Sequence, residues 1–162
     1  MAKRKIAILG SDDALRKRAR IVTKFDDRLH TLLDDMAETM YAANGAGLAA
    51  PQVDVLKRCV VIDVGSGLIE LVNPEIVSTE GARVGVESCL SVPSRCGTVE
   101  RPIKVTVRAQ DRFGNPIEIA GEGFLAVALC HEIDHLDGVV YVDKMIEDVS
   151  DRYRQAKKEE IQ

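Results

Sequence analysis

The chain has 162 residues, 46% of them hydrophobic and 30% charged, with a formal net charge of −4. That length suits a single domain over 1–162 with a substantial core, and the acidic balance indicates no direct nucleic-acid or anionic-membrane partner. No apolar run approaches the roughly 18 residues of a membrane span.

Ile6-Ala7-Ile8-Leu9, followed by Ser11-Asp12-Asp13, is too short for a secretory segment, so a cytoplasmic location is expected. The four cysteines, Cys59, Cys89, Cys96 and Cys130, therefore read as thiols, ligands or core residues and not as disulfides. Asp26 to Tyr41 carries Leu29, Leu32, Leu33, Met36 and Met40 at helical spacing, and Asn44-Gly45 supplies the stop. The next stretch, G-A-G-L-A-A-P-Q (45–52), is too rich in glycine and too close to Pro51 for a regular element.

Cys59 to Val64 and Ile69 to Val72 are strand candidates, the second closed by Asn73-Pro74. Ile103, Val105 and Val107 alternate with polar residues, as a half-buried strand does. Phe113-Gly114-Asn115-Pro116 marks a turn, with Ile117-Glu118-Ile119 as the hairpin partner. From Gly123 the apolar content is nearly continuous, which predicts a buried helix to about Asp137 with Gly138 as its stop. A weakly apolar helix closes the chain within 145–162, from about Val149 to Ile161. The expected fold class is α+β: short antiparallel strands packed around a buried helix in the C-terminal half, with a second helix near the N-terminus.

The buried helix contains H-E-I-D-H (131–135). Residues four apart share a helix face, so His131 and His135 can present two imidazoles to one metal ion. Glu132, about 100° around the helix, is placed to act as a base on water. Two histidines and a glutamate on a solvated face would be the bland alternative, but the apolar neighbours make that costly. A third ligand is needed. Metzincin proteases extend the motif to a further histidine, and here Tyr141 stands at that position. His30 lies on a charged helix and reads as a surface residue. Glu147, Asp148, Asp151 and Glu159 belong to an exposed-looking tail. Cys89, in V-G-V-E-S-C-L-S-V-P, is the best upstream candidate; Cys130 points away from His131, Cys59 reads as core and Cys96 as a loop thiol.

Three stretches together, G-A-G-L-A-A-P-Q (45–52), E-S-C-L-S (87–91) and H-E-I-D-H (131–135), resemble the peptide deformylases of compact bacterial type. The resemblance implies that same fold and an enzyme that removes the N-formyl group from the initiator N-formylmethionine of new polypeptides, releasing formate. It implies Cys89, His131 and His135 as ligands of one divalent metal, Fe²⁺ in the family with Zn²⁺ or Ni²⁺ also accommodated. It implies Glu132 as the base acting on metal-activated water, and an oxyanion held by the Gln52 side chain and the Leu90 backbone N–H. Gly45 and Gly47, with Leu48, resemble the family's backbone platform for the substrate peptide, and Val127 and Leu129 are expected to line an apolar methionine pocket. Ser88 replaces the family's usual glycine and would touch the substrate backbone. Cys130 replaces a frequent glutamine and would bring a second thiol beside the site. Asp134 is expected to pair with Arg101. Formylated nascent chains are the expected partner, with no membrane involved and a ribosome contact left open for the C-terminal helix. A zinc endopeptidase is the rival within the class, and a non-catalytic binding protein the rival outside it.

Overall fold

The structure is a computed structural model that describes residues 2–152, 154 and 155. Among them, no helix is long and apolar enough to cross a membrane.

Helix α1 spans Asp27–Ala42, and the Asp26 side chain caps it by accepting from the Leu29 N–H at 3.1 Å. The stripe read from the sequence is its buried face: Leu29, Leu33, Met36 and Met40 are fully enclosed. Each such side chain contributes about 1.5–3 kcal/mol through burial. The helix stops where Asn44 takes a left-handed backbone, φ 57°.

Five antiparallel strands form the larger sheet, in the order β1 (Gly47–Ala49), β2 (Cys59–Ile62), β3 (Ile69–Glu80), β6 (Lys104–Gln110), β7 (Pro116–Glu122). Strands β4 (Arg83–Cys89), β5 (Val92–Arg101) and β8 (Glu147–Asp148) form a second, three-stranded sheet. Helix α2 (Phe124–Leu136) packs on the larger sheet opposite α1. The alternation of β2 shows this division: Val60 and Ile62 face α2, Cys59 and Val61 face α1. Both faces are covered, which is why β2 reads as an unbroken apolar run. A third apolar cluster, built on Val92, Val99, Val140 and Tyr141, underlies the smaller sheet.

Several elements depart from the sequence expectation. The glycine-rich stretch 45–52 contains a three-residue strand, because Gly47, Leu48 and Ala49 pair with Ile62, Val61 and Val60. Asn73-Pro74 does not end β3. Asn73 adopts φ 51° and the pairing with β6 shifts register there, so the missing proline N–H falls in a bulge. The Asn73 side chain ties that bulge to Val22 and Gln110. The β4–β5 hairpin carried no periodic signal, since Arg83 to Val86 are all exposed. Cys96 is a buried strand residue and not a loop thiol. His30 is half buried, its Nε2 2.8 Å from the Arg112 carbonyl.

Helix α2 begins after Gly123 (φ 59°) and ends before Gly138 (φ 75°). Its last carbonyl is satisfied from distant chain: Leu136 O accepts from the Ala19 N–H at 2.8 Å and the Arg58 guanidinium at 3.0 Å. Residues 150–152, 154 and 155 are helical, and the remainder of the expected C-terminal helix, with Glu159, lies outside the described residues.

Candidate metal centre and cleft

The β4–β5 hairpin turns through Leu90-Ser91, with Cys89 paired to Val92. This turn sets the Cys89 thiol against the buried face of α2. There Sγ stands 3.4 Å from Nε2 of His135. The ligand atoms of Cys89, His131 and His135 all lie within 4.8 Å of one another, the only such group among the described residues. One thiol and two imidazoles at that separation are the donor set of a four-coordinate metal site with one open position. The residues therefore fit a divalent ion.

The two imidazoles are held differently. His131 Nδ1 lies 2.9 Å from Glu87 Oε1, which leaves Nε2 as the nitrogen for a metal. Glu87 also takes two hydrogen bonds from Arg101, at 2.8 and 2.9 Å, and Arg101 reaches Asp134 at 2.7 Å, as expected from the sequence. Burial alone would raise the Glu87 carboxyl, but hydrogen bonds from His131 and Arg101 hold it down to about 2. Burial would lower the His131 imidazole. The charge of Glu132 and hydrogen bonds with Cys89 and Glu87 outweigh burial and push His131 up to about 10. His135 has no carboxylate partner. Its Nδ1 is buried without a hydrogen bond, and burial together with the charge of His131 keeps its pKa well below the usual value. It is thus held as a neutral imidazole, the form that binds metal, whereas His131 must give up its Nε2 proton to do so.

Glu132 is 5% exposed, and its Oε1 has no hydrogen-bond partner. Burial pushes its carboxyl up to about 7, against the pull of His131. A base titrating near neutrality is well matched to proton transfer. Gly47 is required beside it: a Cβ there would stand 2.5 Å from Glu132 Oε2.

Gln52, 1% exposed, comes from the 3-10 turn Ala50–Val53 that follows β1. Its Oε1 accepts from the Ala49 N–H at 3.0 Å, so the amide is fixed with Nε2 toward the site. Nε2 donates to Ser91 Oγ at 3.1 Å and stands 3.6 Å from Cys89 Sγ.

These groups open into a cleft of about 500 Å³. Of the residues expected from the sequence, Gly45, Gly47, Gln52, Ser88, Leu90 and Val127 line it. Leu48 and Leu129 do not. Leu48 is fully buried under α1 and Leu129 is fully buried against the sheet, because neighbouring positions on a strand or helix face different sides. Val86, Phe124 and Ala128 take the apolar wall instead. Cys130 does not line the cleft; it packs in the core beside Leu129 and Ile133, and burial raises its thiol. The role of Glu87 was missed in the sequence. The available signal was its spacing, since positions 87 and 89 of one strand share a face. A larger hollow of about 930 Å³, beside Tyr41, Leu68 and Arg112, contains no comparable group of ligands.

The family pattern described as polypeptide deformylase matches residues 3–150. The chain is 64% identical over 151 residues to a peptide deformylase of Caldicellulosiruptor bescii, covering 93% of this chain and 90% of that one. It is 58% identical over 151 residues to a peptide deformylase of Acetivibrio thermocellus, covering 91% and 89%. Among solved structures it is similar to a peptide deformylase from Legionella pneumophila, with TM-score 0.87, 47% identity and coverage of 97% and 98%. A peptide deformylase from Thermotoga maritima also gives TM-score 0.87, at 41% identity over 90% and 99%.

Proposed function

The chain belongs to the polypeptide deformylase family, whose reaction is hydrolytic removal of the N-formyl group from newly made polypeptides, and from that premise we propose how its residues carry the reaction. Cys89, His131 and His135 hold one divalent metal ion, Fe²⁺ as in the family, with Zn²⁺ or Ni²⁺ as substitutes. Such an ion supplies Lewis acidity that activates water and polarises a carbonyl.

The rest is done by the protein. Glu132 takes the proton from the attacking water and delivers it to the leaving amine, so that formate and a free N-terminus result. Gln52 Nε2 and the Leu90 N–H donate to the carbonyl oxygen as it gains negative charge. Removing one such donor typically costs on the order of 10²–10³ in rate. The hydrogen bond from the Ala49 N–H to Gln52 Oε1 supports this assignment, because it fixes the amide with Nε2 toward the site. Gly45 and Gly47 let the substrate backbone approach closely, and Ser88, beside them in the cleft, contacts it from the hairpin side. Val86, Phe124, Val127 and Ala128 take the methionine side chain.

One observation carries this reading: a thiol and two imidazoles converge within 4.8 Å beside a cleft lined by Cys89, His131 and Glu132, whose Oε1 is buried without a partner. The test is anaerobic purification with metal analysis and a formate-release assay on formyl-Met-Ala-Ser. The expected result is one divalent ion per chain and steady turnover. Cys89→Ala should lose both the ion and the activity, and a Cys89→Ala protein that kept its metal would overturn the ligand assignment. The family reaction places the substrate on nascent chains; a ribosome contact by the C-terminal segment would show as co-sedimentation lost on truncation after Asp148.

A further inference from the structure

Strands β4 and β5 pair out of step beside the cleft. Glu87 opposes Gly97 while Cys89 opposes Val92, so five steps along β5 span two steps along β4. The excess chain, Pro93 to Cys96, bulges away from its partner, and Ser94 adopts φ 64° there. The bulge carries Pro93, Ser94 and Arg95 onto the cleft wall.

The C-terminal segment fixes it from behind. The Cys96 N–H donates to Ser150 Oγ at 3.0 Å, Ser150 Oγ donates to Cys96 O at 3.2 Å, and the Val149 N–H donates to Cys96 O at 3.1 Å. Ser150 itself is 4% exposed. Arg95 therefore projects from an anchored bulge of β5.

Arg95 is the one arginine or lysine among the residues lining this cleft. The two carboxyls there are buried: Glu87 is committed to Arg101 and His131, and Glu132 sits at the centre. Arg95 instead pairs with Asp148 at 3.2 Å, with both side chains more than 40% exposed. An exposed pair of this kind contributes little and exchanges readily for another carboxylate. Arg95 lies three residues beyond Val92, hence at most ~10 Å along the chain from the hairpin end that holds the metal ligand. An extended substrate advances about 3.3 Å per residue, so its second and third residues after the formylated one reach the same distance.

We propose that Arg95 is a specificity-determining residue of this enzyme, favouring formylated chains with an acidic side chain in the second or third position after the formylated residue. Asp148 is the internal competitor that holds the guanidinium when the substrate offers no carboxylate. The proposal rests on the deformylase reading of the cleft.

The test compares kcat/KM for three C-terminally amidated peptides: formyl-Met-Ala-Ser, formyl-Met-Ala-Glu and formyl-Met-Ala-Lys. Turnover of the serine peptide by the unaltered protein checks the deformylase reading by itself; without it, that reading fails first. Given that turnover, the glutamate-to-lysine ratio is expected at about three or more, falling as salt is raised. Arg95→Gln should bring the ratio to about one, and Arg95→Glu should invert it. Asp148→Asn keeps an acceptor for the Ser150 N–H and removes the competing charge, so it should raise the ratio. A ratio near one in the unaltered protein, or a ratio unchanged in Arg95→Gln, would overturn the proposal.

Discussion

Two buried carboxyls lie a few residues from the metal ligands, and the protein treats them in opposite ways. Glu87, 6% exposed, is saturated: Arg101 grips it with two hydrogen bonds, His131 takes a third, and its carboxyl is held down to about 2. Glu132, 5% exposed, is left with a bare Oε1 and is pushed up to about 7. The first is a permanent anion that orients a ligand. The second is poised to gain and lose a proton. Environments that drive two acids apart in this way assign their roles before any substrate is considered. The hydrogen bonds are concentrated where nothing must change, and withheld where chemistry must occur.

The largest effect should come from removing the poised acid. Glu132→Ala is expected to keep its metal, because it is not a ligand, and to lose about 10²–10⁴ in formate release. Near-normal turnover would erase the distinction between the two carboxyls. Glu87→Ala attacks the other side. It frees the His131 ring and leaves Arg101 with only Asp134, so metal affinity should fall about 10–100-fold. Glu87→Gln, which keeps an acceptor, should lose less. If metal content were equal in all three proteins, the saturated network would have no part in the site.

The pH profile sharpens the comparison. Glu132 must be ionised to accept a proton, and burial, against the pull of His131, sets its carboxyl at about 7. A divalent charge nearby favours the ionised form and lowers that value. The acid limb of kcat/KM should therefore be centred below pH 7, with roughly tenfold loss per unit beneath it; a limb centred above 7 would contradict the assignment. Glu87, already held at about 2, should contribute no limb in the working range. The smallest effect is expected at Cys130, which lies outside the cleft: Cys130→Ala should leave metal content within about twofold. A large loss of metal would mean the wrong thiol has been assigned.

Much of this site is legible in the sequence because it is encoded by short-range periodicity. His131 and His135 share a helix face at any location, and continuous apolar neighbours show that the face is buried. The capped α1 and the covered strand β2 are legible for the same reason. What escapes is set by pairing across distance. Arg83 to Val86 show no alternation because they form an exposed edge, and only β5 makes them a strand. Asn73-Pro74 looks like a terminus locally, yet the bulge against β6 absorbs it. Leu48, expected in the cleft from the resemblance, and Leu129, expected in an apolar pocket on its helix, are each turned into the core by one step along the backbone. The Glu87–Arg101 pair joins residues 14 apart on facing strands, a relation without a sequence period.

The bonds that close α2 bear on when this enzyme can exist during its own synthesis. Leu136 O receives the Ala19 N–H, and Ser150 secures the hairpin that presents Cys89. A growing chain holds Cys89 for 46 further residues before His135 is made, and the clamp on the hairpin comes later still. Such long-separation contacts form late and pay their loop-closure entropy together. A chain still short of His135 therefore cannot assemble the three-ligand group, and the Ser150 clamp is added after it.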